Sequence, residues 1–155
     1  MYRPLQVERL NLIVLGDQTS NVSALLKKLL LEVPQSVAQT EFIRDSSAAL
    51  RAQSDRLRPF QREHLPGFKN IHDVARIYHE SNGICHPSIS SALLCVTQLL
   101  QIFRYLEGRG RRPEDNEHIT VVSLCTGSLV AAAYAASASL DDLKILAVPT
   151  VSMAF

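Results

Sequence analysis

Residues 121–127 read Val-Val-Ser-Leu-Cys-Thr-Gly and put a thiol where a strand turns into a helix. Val121, Val122, Ser123 and Leu124 have strand character, and five alanines lie between Ala131 and Ala136. Strand, tight corner and helix in that order resemble a nucleophile elbow, the turn that pushes a nucleophile into a cleft. Such a corner needs small neighbours, and Thr126, Gly127 and Ser128 supply them. Cys125 would stand at the positive end of the helix, a setting that favours a thiolate. The Thr126 amide would face the carbonyl oxygen of a bound acyl group, as half of an oxyanion hole. The alanines would let the helix lie close to the sheet and hold the corner rigid. Against this stands the common fate of a free cysteine, which is to be buried as a small hydrophobe. Ser123 also occupies the first glycine position of the G-x-C-x-G pattern.

Other candidate groups are weaker. Cys85, Cys95 and Cys125 are odd in number and show no C-x-x-C spacing, which argues against a disulfide framework and against zinc. Cys85 and His86 could supply two metal ligands, but the others would come from scattered positions, so no metal is expected. His118 reads as a surface histidine. Sixteen basic residues against fifteen acidic ones give no reason to expect nucleic acid or an anionic membrane as partner. The N-terminal apolar stretch is too short to span a bilayer and lacks signal-peptide character, so a cytoplasmic protein is expected.

The elements that must position the corner follow from periodicity. Leu10 to Gly16 is an apolar run that fits a strand buried on both faces, as in a parallel sheet. Val22, Leu25, Leu26, Leu29 and Leu30 share a helical face, with Ser20 or Asn21 as cap and Pro34 as stop. Phe42, Ala49, Leu50 and Leu57 mark a second helix with its arginines outward. Residues 58–68 read as a loop, and Asn70 caps a short helix that turns Ile71, Val74 and Tyr78 inward. Ile89, Leu93, Val96, Leu100 and Phe103 define the strongest helix, closed by Gly108. A polar loop leads to the second strand, and Ser139 to Asp142 resembles a capping box opening a helix that Pro149 interrupts. Strands alternating with helices give an α/β class.

"LIVLGDQT", "SALLCVTQLLQIFRYLE" and "SLCTGSLVAAA" occur in one order and spacing. Together they resemble the starter-unit acyl-carrier-protein transacylase domain that opens fungal non-reducing polyketide synthases. More distantly they resemble malonyl-type acyltransferases, in which serine replaces the cysteine. The resemblance implies a partial acyltransferase fold: an α/β-hydrolase-like large subdomain, a mostly parallel sheet flanked by helices. Residues 1–155 would be its N-terminal portion, without the second half and a small ferredoxin-like subdomain. It implies that Cys125 carries the acyl group and that the Gln18 and Thr126 backbone amides form the oxyanion hole. The implied reaction loads a starter acyl group from acyl-CoA onto the phosphopantetheine thiol of an acyl carrier protein, in concert with the remainder of a polyketide synthase. No cofactor belongs to the domain itself, since acyl-CoA is substrate and phosphopantetheine belongs to the carrier.

A cysteine nucleophile normally works with a general base. In the resembled family this is a histidine beyond the nucleophile, whereas His64, His72, His79, His86 and His118 all precede Cys125. The chain is therefore expected to be either a piece of a longer synthase or a truncated, non-catalytic interaction module, and to self-associate when isolated. An esterase using the same corner is a third reading. In malonyl-selecting relatives an arginine pairs with the substrate carboxylate; its counted position falls on Thr150, which implies a neutral acyl group. Arg109, Arg111 and Arg112, or Arg56, Arg58 and Arg62, are candidates for docking an acidic carrier.

Overall fold

The structure is a computed structural model and describes residues 11–16, 22–32, 35–109 and 119–155. Two strands, β1 (Asn11–Leu15) and β2 (Ile119–Ser123), pair in parallel with Leu15 opposite Ser123. Between them run α1 (Ser23–Lys27), which continues as a π-helical turn over Lys28–Glu32, then α2 (Val37–Arg56), α3 (Pro59–Arg62), α4 (Ile71–Glu80) and α5 (Pro87–Arg109). After β2 come α6 (Gly127–Ala135) and α7 (Leu140–Ala154). The α/β class holds. The two described strands run parallel, as expected, and the described residues are otherwise mostly helical.

Helix α5 is the centre of the core. Every residue from Ser91 to Leu100 is buried, because α1, α2, α4, α6 and α7 all pack against this helix. Ile89, Leu93, Val96, Leu100 and Phe103 are fully enclosed, as their spacing predicts. The Phe103 ring meets Phe42 of α2 at 5.2 Å. Each such side chain stabilises the fold by about 1.5–3 kcal/mol. Among the described residues α5 is the one helix long and apolar enough to cross a membrane, and most of it lies inside this core.

Several elements differ from expectation for identifiable reasons. Strand β1 is not covered on both faces: Leu12 and Val14 are exposed, as is Val122 of β2, because no described element packs on that side. Val22 caps α1 without a side-chain bond, Leu25 is exposed, and Ser20 and Asn21 lie outside the described residues. The stretch read as a loop contains α3, whose first turn Pro59 starts with its fixed φ. Helix α5 runs one residue past Gly108.

Proline costs a helix interior about 3 kcal/mol, yet α7 runs through Pro149. Pro149 and Ile145, whose carbonyl loses its partner, face solvent, while Leu143, Ala147, Thr150 and Val151 are buried. Packing on α2 and α5 outweighs the local defect. The caps at Asn70 and Ser139 form as predicted, accepting from the Asp73 and Asp142 amides at 2.9 and 3.1 Å. Asp142 is reached by the Ser139 hydroxyl rather than closing a full capping box on the backbone.

Helix α6 crosses the end of β1 at Gly127, where a Cβ would lie 2.7 Å from the carbonyl oxygens of both Leu15 and Gly16. These are backbone atoms and cannot swing away. Gly127→Ala is therefore expected to destabilise by about 1–3 kcal/mol, although alanine normally favours a helix; a raised unfolding temperature would show that the close approach does not exist. The uncovered apolar face gives a second expectation. The 155-residue polypeptide should self-associate in size-exclusion chromatography and Val14→Lys should shift it toward monomer, whereas a clean monomer before the substitution would contradict this.

Candidate active site

Parallel strands end on the same side of a sheet, and in α/β proteins that side is where ligands bind. Both chain segments that leave the sheet there, after Leu15 and after Ser123, start at adjacent register positions. The ladder extends one step further, because the Leu124 amide donates to the Leu15 carbonyl at 3.1 Å. The chain then reverses within one residue. Cys125 has φ +51°, in the left-handed region, which costs a residue with a Cβ about 1–2 kcal/mol. The turn is closed by the Gly127 amide on the Leu124 carbonyl at 2.9 Å. The Ser128 amide donates to the Cys125 carbonyl at 3.0 Å. That bond fixes the peptide plane shared by the Cys125 carbonyl and the Thr126 amide.

The result is a strained corner with its side chain outward. Cys125 is exposed, and Thr126 and Gly127 behind it are buried. Gly127, Val130 and Ala133 form the inner face of α6, so the small-residue run does bring that helix onto the strands. Among the described residues no hydrogen bond reaches the Cys125 sulfur. Ser123 and Ser128 meet across the turn at 3.5 Å.

The other two thiols sit differently. Cys95 is fully buried in α5, and burial pushes its pKa up to about 12, so it is an inert protonated thiol. Cys85 is half-buried, 3.3 Å from the Ser90 hydroxyl.

Gln18, His118, Arg111 and Arg112 lie outside the described residues, as does the side chain of Arg109; the described chain reaches Gly16, two residues short of Gln18. His64, His72 and His79 are exposed on the α3–α4 side, and His79 Nδ1 lies 2.8 Å from the Ser23 hydroxyl. His86 Nδ1 accepts from the Ser88 amide. Arg62 is committed to the end of α2, donating to the carbonyls of Asp55 at 2.7 Å and Leu57 at 3.0 Å. Arg56 and Arg58 remain exposed. Thr150 donates to the Leu146 carbonyl at 2.8 Å within α7, and Lys144 pairs with Asp141 at 2.9 Å. A cavity of about 380 Å³ between α1, the π-helical turn and α4 is lined by Leu30, Leu31 and Ala75 with Lys27, His72 and Arg76. Cys125 is not part of its lining.

Sequence reasoning passed over two side chains that reach this corner from α5. Gln98 Nε2 donates to the Gly16 carbonyl at 2.9 Å, and Cys95 Sγ lies 4.0 Å from the Thr126 carbonyl. The available signal was a lone amide inside "LLCVTQLL", where an apolar residue would suit the core better.

Comparison with known proteins places these features. Residues 13–155 match the family described as "Starter unit:ACP transacylase in aflatoxin biosynthesis". The chain is 33% identical over 145 residues to "Non-reducing polyketide synthase 1" of Elsinoe fawcettii, covering 94% of this chain and 6% of that protein. It is 31% identical over 148 residues to "Conidial pigment polyketide synthase PfmaE" of Pestalotiopsis fici, covering 96% of this chain and 7% of that protein. With "Non-reducing polyketide synthase PKS12" of Gibberella zeae the identity is 34% over 142 residues, covering 91% of this chain and 7% of that protein. The chain thus spans 6–7% of the length of these relatives. The family match runs from within β1 to the last residue of α7 and beyond it to Phe155, taking in the whole Cys125 corner, and the chain belongs to the starter unit:ACP transacylase family.

Proposed function

We propose that Cys125 is the acyl-carrying nucleophile of a starter-unit transacylase within a polyketide synthase. The observation that carries this reading is the combination of a positive φ with an outward-facing thiol at the C-terminal end of parallel strands. Backbone strain of this kind persists where the surrounding structure enforces it, and it concentrates at functional sites. Family membership supplies the reaction class.

In the first half-reaction the Cys125 thiolate attacks the thioester carbonyl of acyl-CoA. The C–S bond to coenzyme A breaks, coenzyme A leaves as its thiolate, and the acyl group remains on Cys125 as a thioester. In the second, the phosphopantetheine thiol of an acyl carrier protein, as its thiolate, attacks that new thioester, takes the acyl group and releases the Cys125 thiolate. The Thr126 amide, with that of Gln18 by family resemblance, stabilises the oxyanion in both steps. The proposed acyl group is neutral, because the counted arginine position holds Thr150, whose hydroxyl is spent inside α7. Arg56 and Arg58 are exposed candidates for meeting an acidic carrier.

Two measurements test this reading. In the complete synthase, Cys125→Ala should lower transfer of acetyl or hexanoyl groups from coenzyme A to the carrier by about 10³-fold or more, while Cys85→Ala should leave it near wild type. Retained transfer in Cys125→Ala would remove Cys125 as nucleophile, and malonyl loading ahead of both neutral groups would remove the substrate assignment. The strained φ makes an independent expectation: Cys125→Gly should be more stable than Cys125→Ala by about 1 kcal/mol. The order at an ordinary helix or strand position is the reverse, and finding that order here would show that the corner is relaxed.

A further inference from the structure

We propose that Gln98 is a positioning residue for the oxyanion donor at Thr126: from inside α5 its amide holds the Gly16 carbonyl, on which Gly127, the residue after that donor, packs. The proposal rests on the transacylase reading of Cys125 and goes beyond it by assigning a task to a core residue.

Three observations carry it. Gln98 is 5% exposed, and its Nε2 reaches out of α5 to Gly16, a residue 82 positions away in the chain. Its Oε1 is buried with no hydrogen-bond partner among the described residues. An unsatisfied buried oxygen destabilises a core, and methionine would fill the same length of space without it. The hydroxyl-bearing residues in this buried stretch behave differently. Ser91 and Thr97 donate to carbonyls of their own helix, Pro87 and Leu93, at 2.9 and 2.7 Å. In that stretch the Gln98 side chain instead bonds to the exit of β1.

The position of Cys95 points the same way. It lies three residues before Gln98, hence on the same side of the helix, and its sulfur lies 4.0 Å from the Thr126 carbonyl. One side of α5 therefore touches both the exit of β1 at Gly16 and the Thr126 carbonyl at the corner. Gly127 packs directly on the Leu15 and Gly16 carbonyls, so a shift of the Gly16 carbonyl would be felt at the corner itself. Donor placement matters at the level of fractions of an ångström, because stabilisation depends on where the oxyanion forms.

The test uses Gln98→Met in the complete synthase, with two reactions of the same sulfur. Alkylation of Cys125 by iodoacetamide displaces iodide at carbon and forms no oxyanion. Acylation by acyl-CoA does form one. Gln98→Met should keep its unfolding temperature within a few degrees of wild type and alkylate at the wild-type rate. Its kcat for acylation should fall about 10- to 100-fold, with KM for acyl-CoA near the wild-type value. Unchanged acylation, an equal loss in both reactions, or a fall in unfolding temperature of more than about 10 °C would make Gln98 a packing residue and overturn the proposal. Cys125→Ala run alongside separates the two ideas: if it still forms the acyl adduct, the transacylase reading fails rather than the role of Gln98.

Discussion

The arrangement of this site depends on one close contact, the packing of Gly127 on the carbonyl oxygens of Leu15 and Gly16. Any side chain there would push α6 off the end of β1. With the contact made, the chain after β2 has a single residue in which to reverse, and that residue takes the left-handed conformation at Cys125. The strain of about 1–2 kcal/mol is held by the turn's own hydrogen bonds and by the buried faces of α6 and α7 behind it. Exposure of the thiol is thus a consequence of backbone geometry rather than of any polar partner.

Helix α5 makes that contact rigid. Its buried length is surrounded by α1, α2, α4, α6 and α7, so the energy of the core is concentrated on the element that lies beneath the corner. A rigid base is what a preorganised oxyanion site requires, since donors that must be reoriented during reaction lose much of their advantage. The network at the far end of α5 serves the same end. Glu107 accepts from Ser36 and from Gln39, both at 2.6 Å, while Arg104 donates to Gln39 and to the Leu29 carbonyl. These bonds tie the π-helical turn and the start of α2 to the central helix.

The helices were legible in the sequence where periodicity and caps agreed, as at Asn70 with Ile71, Val74 and Tyr78, and along Ile89 to Phe103. The corner was legible too, because strand residues, a thiol and small residues fell in a compulsory order. Local rules failed where tertiary packing overrode them. Pro149 did not stop α7, since its face is solvent and the opposite face is anchored. The apolar alternation-free run of β1 suggested two covered faces, and no local signal reports that Leu12 and Val14 remain open. Gln98 could not be assigned from sequence, because its meaning lies in a bond to Gly16 across the fold.

The most direct measurement is the location of the acyl group on the complete synthase. After brief incubation with a neutral acyl-CoA, acid quench and proteolysis, the acyl mass should sit on the peptide containing Cys125 and be released by neutral hydroxylamine, as a thioester is. The peptides containing Cys85 and Cys95 should carry none. An adduct on Cys85, or a hydroxylamine-resistant adduct on Ser123 or Ser128 beside the corner, would contradict the account.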